Sequence, residues 1–423
     1  MIFIYKLITI LFYPIFIIII YLRKLFNKED NKRYKEKIFS SNFFPNRNDK
    51  KKLIWFHAAS IGEVQSIFPL IKKLDNENDN LEFLITTVTL SSGNIVKKKF
   101  LANKNINHRY FPLDVDFLIK KFLDRWKPNL VIFVDSEIWP NLIFEIKKRK
   151  MPLALINGRL TKKSFNKWML ISKFAKNIFN TFDLCLPANK ESEKKLKALS
   201  VKNLIYIGNI KFSAEVEEKD LNDKYLEILK KKTFWCAAST HNGEEIICLK
   251  AHLNLKKTYN DLITIIIPRH INRCEEIKDL CNKFKLSSQV LNDKESIKDN
   301  REIIIINSFG VLSRFYNYSK SVFIGKSLIK KLENVGGQNP IEAAKLKCKI
   351  YHGPYVYNFK EIYDLLKSYK ISEEINGEKD LCEKLSKDLK NSRDDENNTT
   401  DIINDMGKKI LENTTEEINK LLA

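Results

Sequence analysis

Glycine and proline are scarce in this sequence, 12 and 11 of 423 residues. That scarcity excludes collagen-like and glycine-rich low-complexity chains. No two cysteines form a CxxC pair; the seven stand singly at 185, 236, 248, 274, 281, 348 and 382. Such spacing supplies neither a disulfide framework nor a zinc site, and describes reduced thiols packed as small apolar groups. The six histidines show no HExxH or similar ligand spacing, so no metal or other cofactor is expected. Acidic residues are outnumbered, 52 against 74 Lys and Arg, leaving a net charge of +22. An excess of that size favours a polyanionic neighbour. The lysines are spread along the whole chain, however, and no aromatic–basic cluster of RNA-binding type is present, so nucleic acid is not an expected partner. With 44% hydrophobic and 30% charged residues, the chain has material for packed cores and is not globally disordered. Its length suits two to three domains of ~150 residues.

The N-terminus carries the clearest physical signal. From Leu7 to Leu22 only Thr9 is conventionally polar, and Ile2–Tyr5 extends the apolar run past Lys6. About 20 apolar residues span a bilayer core, so Ile2–Leu22 predicts a transmembrane helix, kinked at Pro14; a helix lying in the interface is the other reading. No small-residue cleavage site follows, which argues against a signal peptide. Arg23–Lys37 carries seven basic and three acidic residues. Positive-inside logic then places the body on the cytoplasmic side of the membrane.

Beyond Lys50 short apolar runs alternate with amphipathic stretches. The runs predict strands at Leu53–Phe56, Phe83–Thr87, Leu130–Val134, Leu153–Ile156 and Leu204–Ile207. A second series follows at Phe234–Ala238, Ile263–Ile267, Ile303–Ile306, Ser321–Ile324 and Cys348–Tyr351. Val64–Leu74, Phe117–Trp126 and Glu244–Lys256 read as helices between them. This alternation indicates an α/β fold with parallel sheets, arranged as two Rossmann-like domains facing a cleft. The expected division is a membrane anchor (1–24), a basic linker (25–50), an N-terminal domain (51–210), a C-terminal domain (211–378) and a charged helical tail (379–423). The joint between the domains is expected near Gly208–Asp220.

Ligands in such sheets bind beyond the carboxyl ends of the strands, so the turns there hold the candidate site residues. His57-Ala58-Ala59-Ser60-Ile61-Gly62-Glu63 runs from a strand into a helix. Ser60 and Glu63 have capping-box spacing; Glu63 also stands where a general base would face a cleft. Asp135-Ser136-Glu137 places two carboxylates on a post-strand loop, solvated or functional, beside an unusual Trp139-Pro140-Asn141. Gly336-Gly337 precedes Asn339-Pro340-Ile341-Glu342, a standard helix start that is also a phosphate cradle. Pro268-Arg269-His270 ends a strand and puts a guanidinium where a phosphate or carboxylate would sit. Each signal alone is weak.

In order, these segments resemble the Kdo transferases of lipid A assembly, membrane-anchored GT-B glycosyltransferases. The matching stretches are HAASIGE (57–63), TTVTLSSG (86–93), YFPLD (110–114), SEIWPN (136–141), INGRLTKKSF (156–165), GNIK (208–211), AASTHNGEE (237–245), PRH (268–270), GGQNPIEAA (336–344) and HGPYVYNF (352–359). The resemblance implies inverting, metal-independent transfer of 3-deoxy-D-manno-octulosonate (Kdo) from CMP-Kdo to the lipid A precursor, lipid IVA, at the cell inner membrane. It implies Glu63 as the base, with Glu137 and Lys211 stabilising the transition state. Pro268, Arg269, His270, Gly310, Val311, Leu312, Asn339, Pro340, Ile341 and Glu342 would hold CMP. The sequence departs from the family pattern at Asp135, Val311, Lys326 and Gln338, where the family usually has Glu, Glu, Gly and His. The competing readings are a GT-B transferase using another nucleotide sugar and a non-catalytic binder of anionic lipid.

Overall fold

The computed structural model describes residues 1–43, 50–100, 102–216, 221, 223–292, 295–390 and 399–422. Two compact units emerge: Met1–Ala214 together with Met406–Ala423, and Glu215–Asp405.

Among the described residues, the first unit is built on six strands: β1 (Lys52–His57), β2 (Leu81–Thr87), β3 (Ile106–Tyr110), β4 (Leu130–Val134), β5 (Leu153–Gly158) and β6 (Leu184–Pro187). All pair in parallel, in the order β3-β2-β1-β4-β5-β6. That is the doubly wound order, and its winding reverses between β1 and β4, where such sheets open a ligand crevice. The strands other than the edge strand β3 are almost wholly buried because helices cover both faces. Alternate residues of one strand serve opposite cores: Leu53 and Trp55 pack with Leu118, Phe122 and Trp126, while Ile54 and Phe56 pack with Val64, Ile67 and Leu70.

The second unit holds β7 (Phe234–Thr240), β8 (Ile263–Pro268), β9 (Ser288–Leu291), β10 (Ile303–Ile306), β11 (Ser321–Ile324), β12 (Lys349–His352) and β13 (Ser372–Glu374). These form a parallel sheet in the order β13-β12-β11-β7-β8-β10-β9. The α/β class and the parallel sheets agree with the sequence expectation.

Three expectations are corrected. Leu204–Ile207 is not a strand; Leu204 makes a single bridge to Cys185 at the edge of β6. The domain boundary drawn between 210 and 211 moves to after Ala214, still inside the expected joint Gly208–Asp220, which leaves Lys211 in the first unit; residues 217–220 lie outside those described. The expected charged tail is not a tail. Helix Glu378–Lys390 buries Leu381 and Leu385 in the core of the second unit. The end of helix Thr399–Leu422 returns to the first unit, where Ile418 joins the core and Leu422 O accepts from Lys52 Nζ at 2.7 Å. Gly407 permits that return, because a Cβ there would lie 2.2 Å from Phe212 O.

The N-terminal expectation also changes. No single helix among the described residues is long and apolar enough to cross a membrane. Ile2–Leu11 and Tyr13–Leu25 are separate helices bent by 52°, and only as a pair do they meet the length and composition of a span. The bend falls at Phe12, and Pro14 sits in the first turn of the second helix, where its missing N–H costs nothing. The first helix is docked through a polar stripe. Tyr5 Oη donates to Asp114 Oδ2 at 3.0 Å, Lys6 pairs with Asp116 at 2.6 Å, and Thr9 Oγ1 accepts from Asn141 Nδ2 at 3.1 Å. Phe3, Leu7 and Leu11, four residues apart on the helix, are exposed by 75%, 58% and 71%.

Candidate functional site

In the first unit the site forms at the carboxyl ends of β1 and β4, at the point where the winding reverses. Glu63 lies in the first turn of helix Ile61–Glu77. Ser60 caps the helix, its Oγ accepting from Glu63 N at 3.4 Å, while Glu63 reaches back one residue further than a capping box: Oε1 accepts from Ser60 Oγ and Oε2 from Ala59 N, both at 2.7 Å. Burial pushes its carboxyl above the ordinary value, helped by the charges of Asp135 and Glu137 and opposed by the bonds from Ser60 and Ala59. The brace of the helix start and the candidate base are therefore one side chain.

Glu137 has the opposite environment. Its Oε2 accepts from Trp139 Nε1 at 2.9 Å and lies 3.3 Å from His57 Nε2. Burial raises its carboxyl, but His57 and Trp139 outweigh that and hold it below the usual range. Two nearby carboxylates are thus pushed apart, the arrangement that separates a proton acceptor from a fixed negative charge.

Asp135, between them in sequence and first after β4, has φ +65°, a conformation Asp tolerates better than most residues. Its Oδ2 lies 3.4 Å from Lys211 Nζ. Lys211 sits on a 3₁₀ turn, Ile210–Ser213, which is held from two sides. Asn209 Oδ1 accepts from Lys211 N at 3.0 Å, and Asn157 Oδ1, at the end of β5, accepts from Ile210 N at 3.2 Å. The close approach at Gly407 backs the same turn.

Asp114 sets the loop that carries Glu137. Its carboxylate accepts from Asn141 N and Leu142 N, at 3.0 and 2.9 Å, capping helix Pro140–Lys148. Complete burial pushes Asp114 up to about 6 despite these donors.

In the second unit the candidate nucleotide residues also follow strand ends. Pro268 closes β8, and Arg269 and His270 are exposed beyond it, the His270 ring 5.7 Å from that of His241. Gly310, at φ +71°, leads through the buried Val311 into helix Leu312–Tyr316, which packs on helix Ile341–Lys345. Asn339 Oδ1 accepts from Ile341 N at 3.2 Å, so Asn339 caps this helix start, with the buried Pro340 next and Glu342 in the first turn. Lys326 O accepts from Gly337 N at 2.7 Å and joins the loop after β11 to this segment. Beneath it Glu244 accepts four backbone N–H bonds, from His241, Lys326, Ser327 and Leu328, at 2.7–2.9 Å. Burial still leaves Glu244 above its ordinary value. Lys326 has φ +59°, which explains on steric grounds why glycine suits this position.

Residues 32–214 match the family model described as 3-deoxy-D-manno-octulosonic-acid transferase (kdotransferase). The 3-deoxy-D-manno-octulosonic acid transferase of Rickettsia bellii is 34% identical over 353 residues, 83% of this chain and 82% of that relative. The protein of the same name from Haemophilus influenzae is 32% identical over 346 residues, 81% of this chain and 80% of that relative. The chain belongs to the Kdo transferase family. It is a glycosyltransferase. Among solved structures, a glycosyltransferase from Rickettsia africae superposes with a TM-score of 0.56 at 13% identity, covering 88% of this chain and 99% of that one. UDP-GlcNAc 2-epimerase from Neisseria meningitidis gives the same TM-score, 0.56, at 13% identity, with coverage of 88% and 99%. These likenesses concern the fold alone.

The structure of this Kdo transferase brings Glu63, Glu137 and Lys211 together on one unit, with Asp135 among them. It gathers Pro268–His270, Gly310–Leu312 and Asn339–Glu342 at the carboxyl edge of the other. Sequence reasoning missed four residues that hold the transferase's site: Thr86, Trp139, Asn157 and Asp114. All four stand in matching stretches, Thr86 in TTVTLSSG, Trp139 in SEIWPN, Asn157 in INGRLTKKSF and Asp114 in YFPLD, but those signals named no role. For the nucleotide residues, Arg269→Ala is expected to weaken CMP binding by ~1.5–3 kcal/mol, the value of a hydrogen bond to a charged group. Glu342→Ala is expected to weaken it as well, because the resemblance implies that Glu342 helps to hold CMP. Calorimetric titration with CMP checks both; unchanged affinity in both variants removes these residues from the donor site.

Proposed function

We propose that the transferase moves Kdo from CMP-Kdo to a hydroxyl of the lipid A precursor, lipid IVA, by a single inverting displacement without a metal ion. Glu63 takes the proton of the acceptor hydroxyl. The acceptor oxygen bonds to the anomeric carbon as the bond from that carbon to the CMP phosphate breaks, and CMP leaves with the electron pair. The ionised Glu137 faces the positive charge that develops at the sugar, as carboxylates do in glycoside hydrolysis. Lys211, held by Asp135, offsets the negative charge of the donor. Arg269 and the amides around Gly310–Leu312 and Asn339–Glu342 suit the CMP phosphate, and Glu342 suits its ribose.

One observation carries this reading: Glu63 and Glu137 stand at the same switch point with their carboxyl groups shifted in opposite directions. A donor panel tests it. CMP-Kdo should support lipid-dependent release of CMP, while UDP-linked hexoses should support none; turnover with a UDP-sugar and not with CMP-Kdo would favour the other GT-B reading.

We place the protein at the inner membrane, with its body on the cytoplasmic side. The bent helix pair rests in the interface through the face that carries Phe3, Leu7 and Leu11. The basic contribution is smaller than the sequence implied, because Arg23 and Lys37 pair with Glu29 and Arg33 pairs with Glu36. Lys28, Lys32 and Lys35 remain exposed. Changing Phe3, Leu7 and Leu11 to Gln leaves Tyr5, Lys6 and Thr9 in place. With ~1.5–3 kcal/mol per buried apolar side chain, binding to anionic vesicles should fall at least ~10-fold. Activity on acceptor in liposomes should fall with it, while activity on detergent-dispersed acceptor stays unchanged. Equal liposome activity of the triple variant and wild type would rule out this seating.

A further inference from the structure

We propose that Trp55 and Thr86 are positioning residues that fix the proton of His57 on Nε2, so that an N–H rather than a lone pair faces Glu137. This rests on the role given to Glu137 above, but the tautomer itself can be measured without it.

β1 and β2 supply the geometry. Trp55 and His57 are two apart on β1 and project to one face, and Thr86 stands opposite His57 in the register of β2. All three are fully buried. Trp55 Nε1 donates to Thr86 Oγ1 at 2.8 Å, and Thr86 Oγ1 lies 2.9 Å from His57 Nδ1. On the other side of the ring, His57 Nε2 lies 3.3 Å from Glu137 Oε2, although not aligned as a good hydrogen bond. Long or poorly aligned contacts of this kind are common before substrate binds. The ring plane is fixed by Phe111, stacked at 3.9 Å, with Phe133 and Trp139 on its edges.

Counting hydrogens sets the direction. An indole N–H only donates, so Trp55 makes Thr86 Oγ1 an acceptor. The hydroxyl has one hydrogen left to give. Its two destinations are His57 Nδ1 at 2.9 Å and Phe56 O at 3.5 Å. The shorter contact uses it well, and Nδ1 is then the acceptor. A neutral imidazole has one donor and one acceptor nitrogen, so the proton is on Nε2. The alternative places Nδ1–H towards Thr86 Oγ1 or Thr86 O, the latter at 3.2 Å and already bonded by Ala58 N at 3.0 Å. It would also set the Nε2 lone pair against the Glu137 carboxylate in a buried site, where two acceptors repel. The chain therefore runs one way: Trp55 to Thr86 to His57 to Glu137.

The consequence is an N–H on His57 Nε2 aimed at Glu137, a donor that favours the ionised carboxylate. Thr86→Val keeps the shape and removes the hydroxyl. The His57 proton should move to Nδ1 and donate to the backbone oxygen of residue 86, leaving Glu137 without its N–H. kcat should fall about tenfold, the scale of one hydrogen bond, with the KM for CMP-Kdo unchanged. Thr86→Ser should restore wild-type behaviour.

The direct readout is long-range ¹H–¹⁵N NMR of histidine-labelled full-length protein, with His57→Gln to assign the ring. The expected wild-type spectrum shows a neutral His57 protonated on Nε2, switching to Nδ1 in Thr86→Val. A wild-type ring protonated on Nδ1, or on both nitrogens, overturns the proposal even if Thr86→Val fails to fold. A tautomer switch with unchanged turnover upholds the hydrogen-bond chain and removes Glu137 from the reaction instead.

Discussion

Glu63→Gln is expected to lower turnover at least ~10²-fold, the usual scale for a lost general base, while folding and CMP affinity stay near wild type. The substitution separates two functions that share one side chain. The amide oxygen of Gln can still accept from Ala59 N, and its NH₂ can donate to Ser60 Oγ where the carboxylate accepted from it. Only proton acceptance is lost. In the wild type, burial and the charges of Asp135 and Glu137 raise the Glu63 carboxyl. As a base it must be ionised, so kcat/KM should climb along an acidic limb whose midpoint lies above the ordinary glutamate value of 4.5. Glu63→Gln should flatten that limb. An active Gln variant that kept the limb would leave Glu63 a brace of the helix start and nothing more.

Glu137→Gln should also cost about 10²-fold or more in kcat, the range found when one preorganised electrostatic partner is removed. The expected signature differs from that of Glu63. Gln at 137 can still accept from Trp139 Nε1, so the loop keeps its shape and the KM for CMP-Kdo should hardly change. The Glu63 carboxyl loses one of the charges that raise it, so the acidic limb that reports on Glu63 should move to lower pH. A pH–rate series on both variants checks the pair together. If Glu137→Gln leaves the limb where it was, the two carboxylates do not feel one another as the structure implies.

The strands that were legible are those buried on both faces. β1, β2, β4, β5, β7, β8, β10, β11 and β12 read as apolar runs because central parallel strands have neighbours on every side. The four that were missed, β3, β6, β9 and β13, are the sheet edges. Ile106–Tyr110 contains Asn, His and Arg and is largely half-buried, and Ser372–Glu374 is polar. Such edge strands pair on one side only and keep fewer apolar residues; β6, Leu184–Pro187, is instead apolar and buried, a run of only four residues. Leu204–Ile207 failed the other way, an apolar run beside an edge that pairs through Leu204 alone.

The helices at the two ends of the chain were misread for a related reason. In Glu378–Lys390 two buried leucines, Leu381 and Leu385, are diluted by eight charged residues, and the charge hid the stripe. In Ile2–Leu11 the reverse holds. Tyr5, Lys6 and Thr9 look like interruptions of an apolar span until Asp114, Asp116 and Asn141 are seen to receive them. At the site, Glu63 and Glu137 could be named because their motifs lie at strand ends. Thr86 and Asn157 could not, because what they do depends on which strands become neighbours. β1 beside β2 brings Thr86 to His57, and the end of β5 brings Asn157 to the turn of Lys211. Sequence spacing carries neither fact.

The central claim is transfer of Kdo to a lipid A precursor, and one incubation tests it most directly. Full-length protein, CMP-Kdo and tetraacyl lipid A precursor in detergent, read by mass spectrometry of the lipid, should give a product heavier by whole Kdo residues. The same mixture with Glu63→Gln should give little. An unmodified lipid in the wild-type reaction, from protein that binds CMP and is folded, would contradict the account.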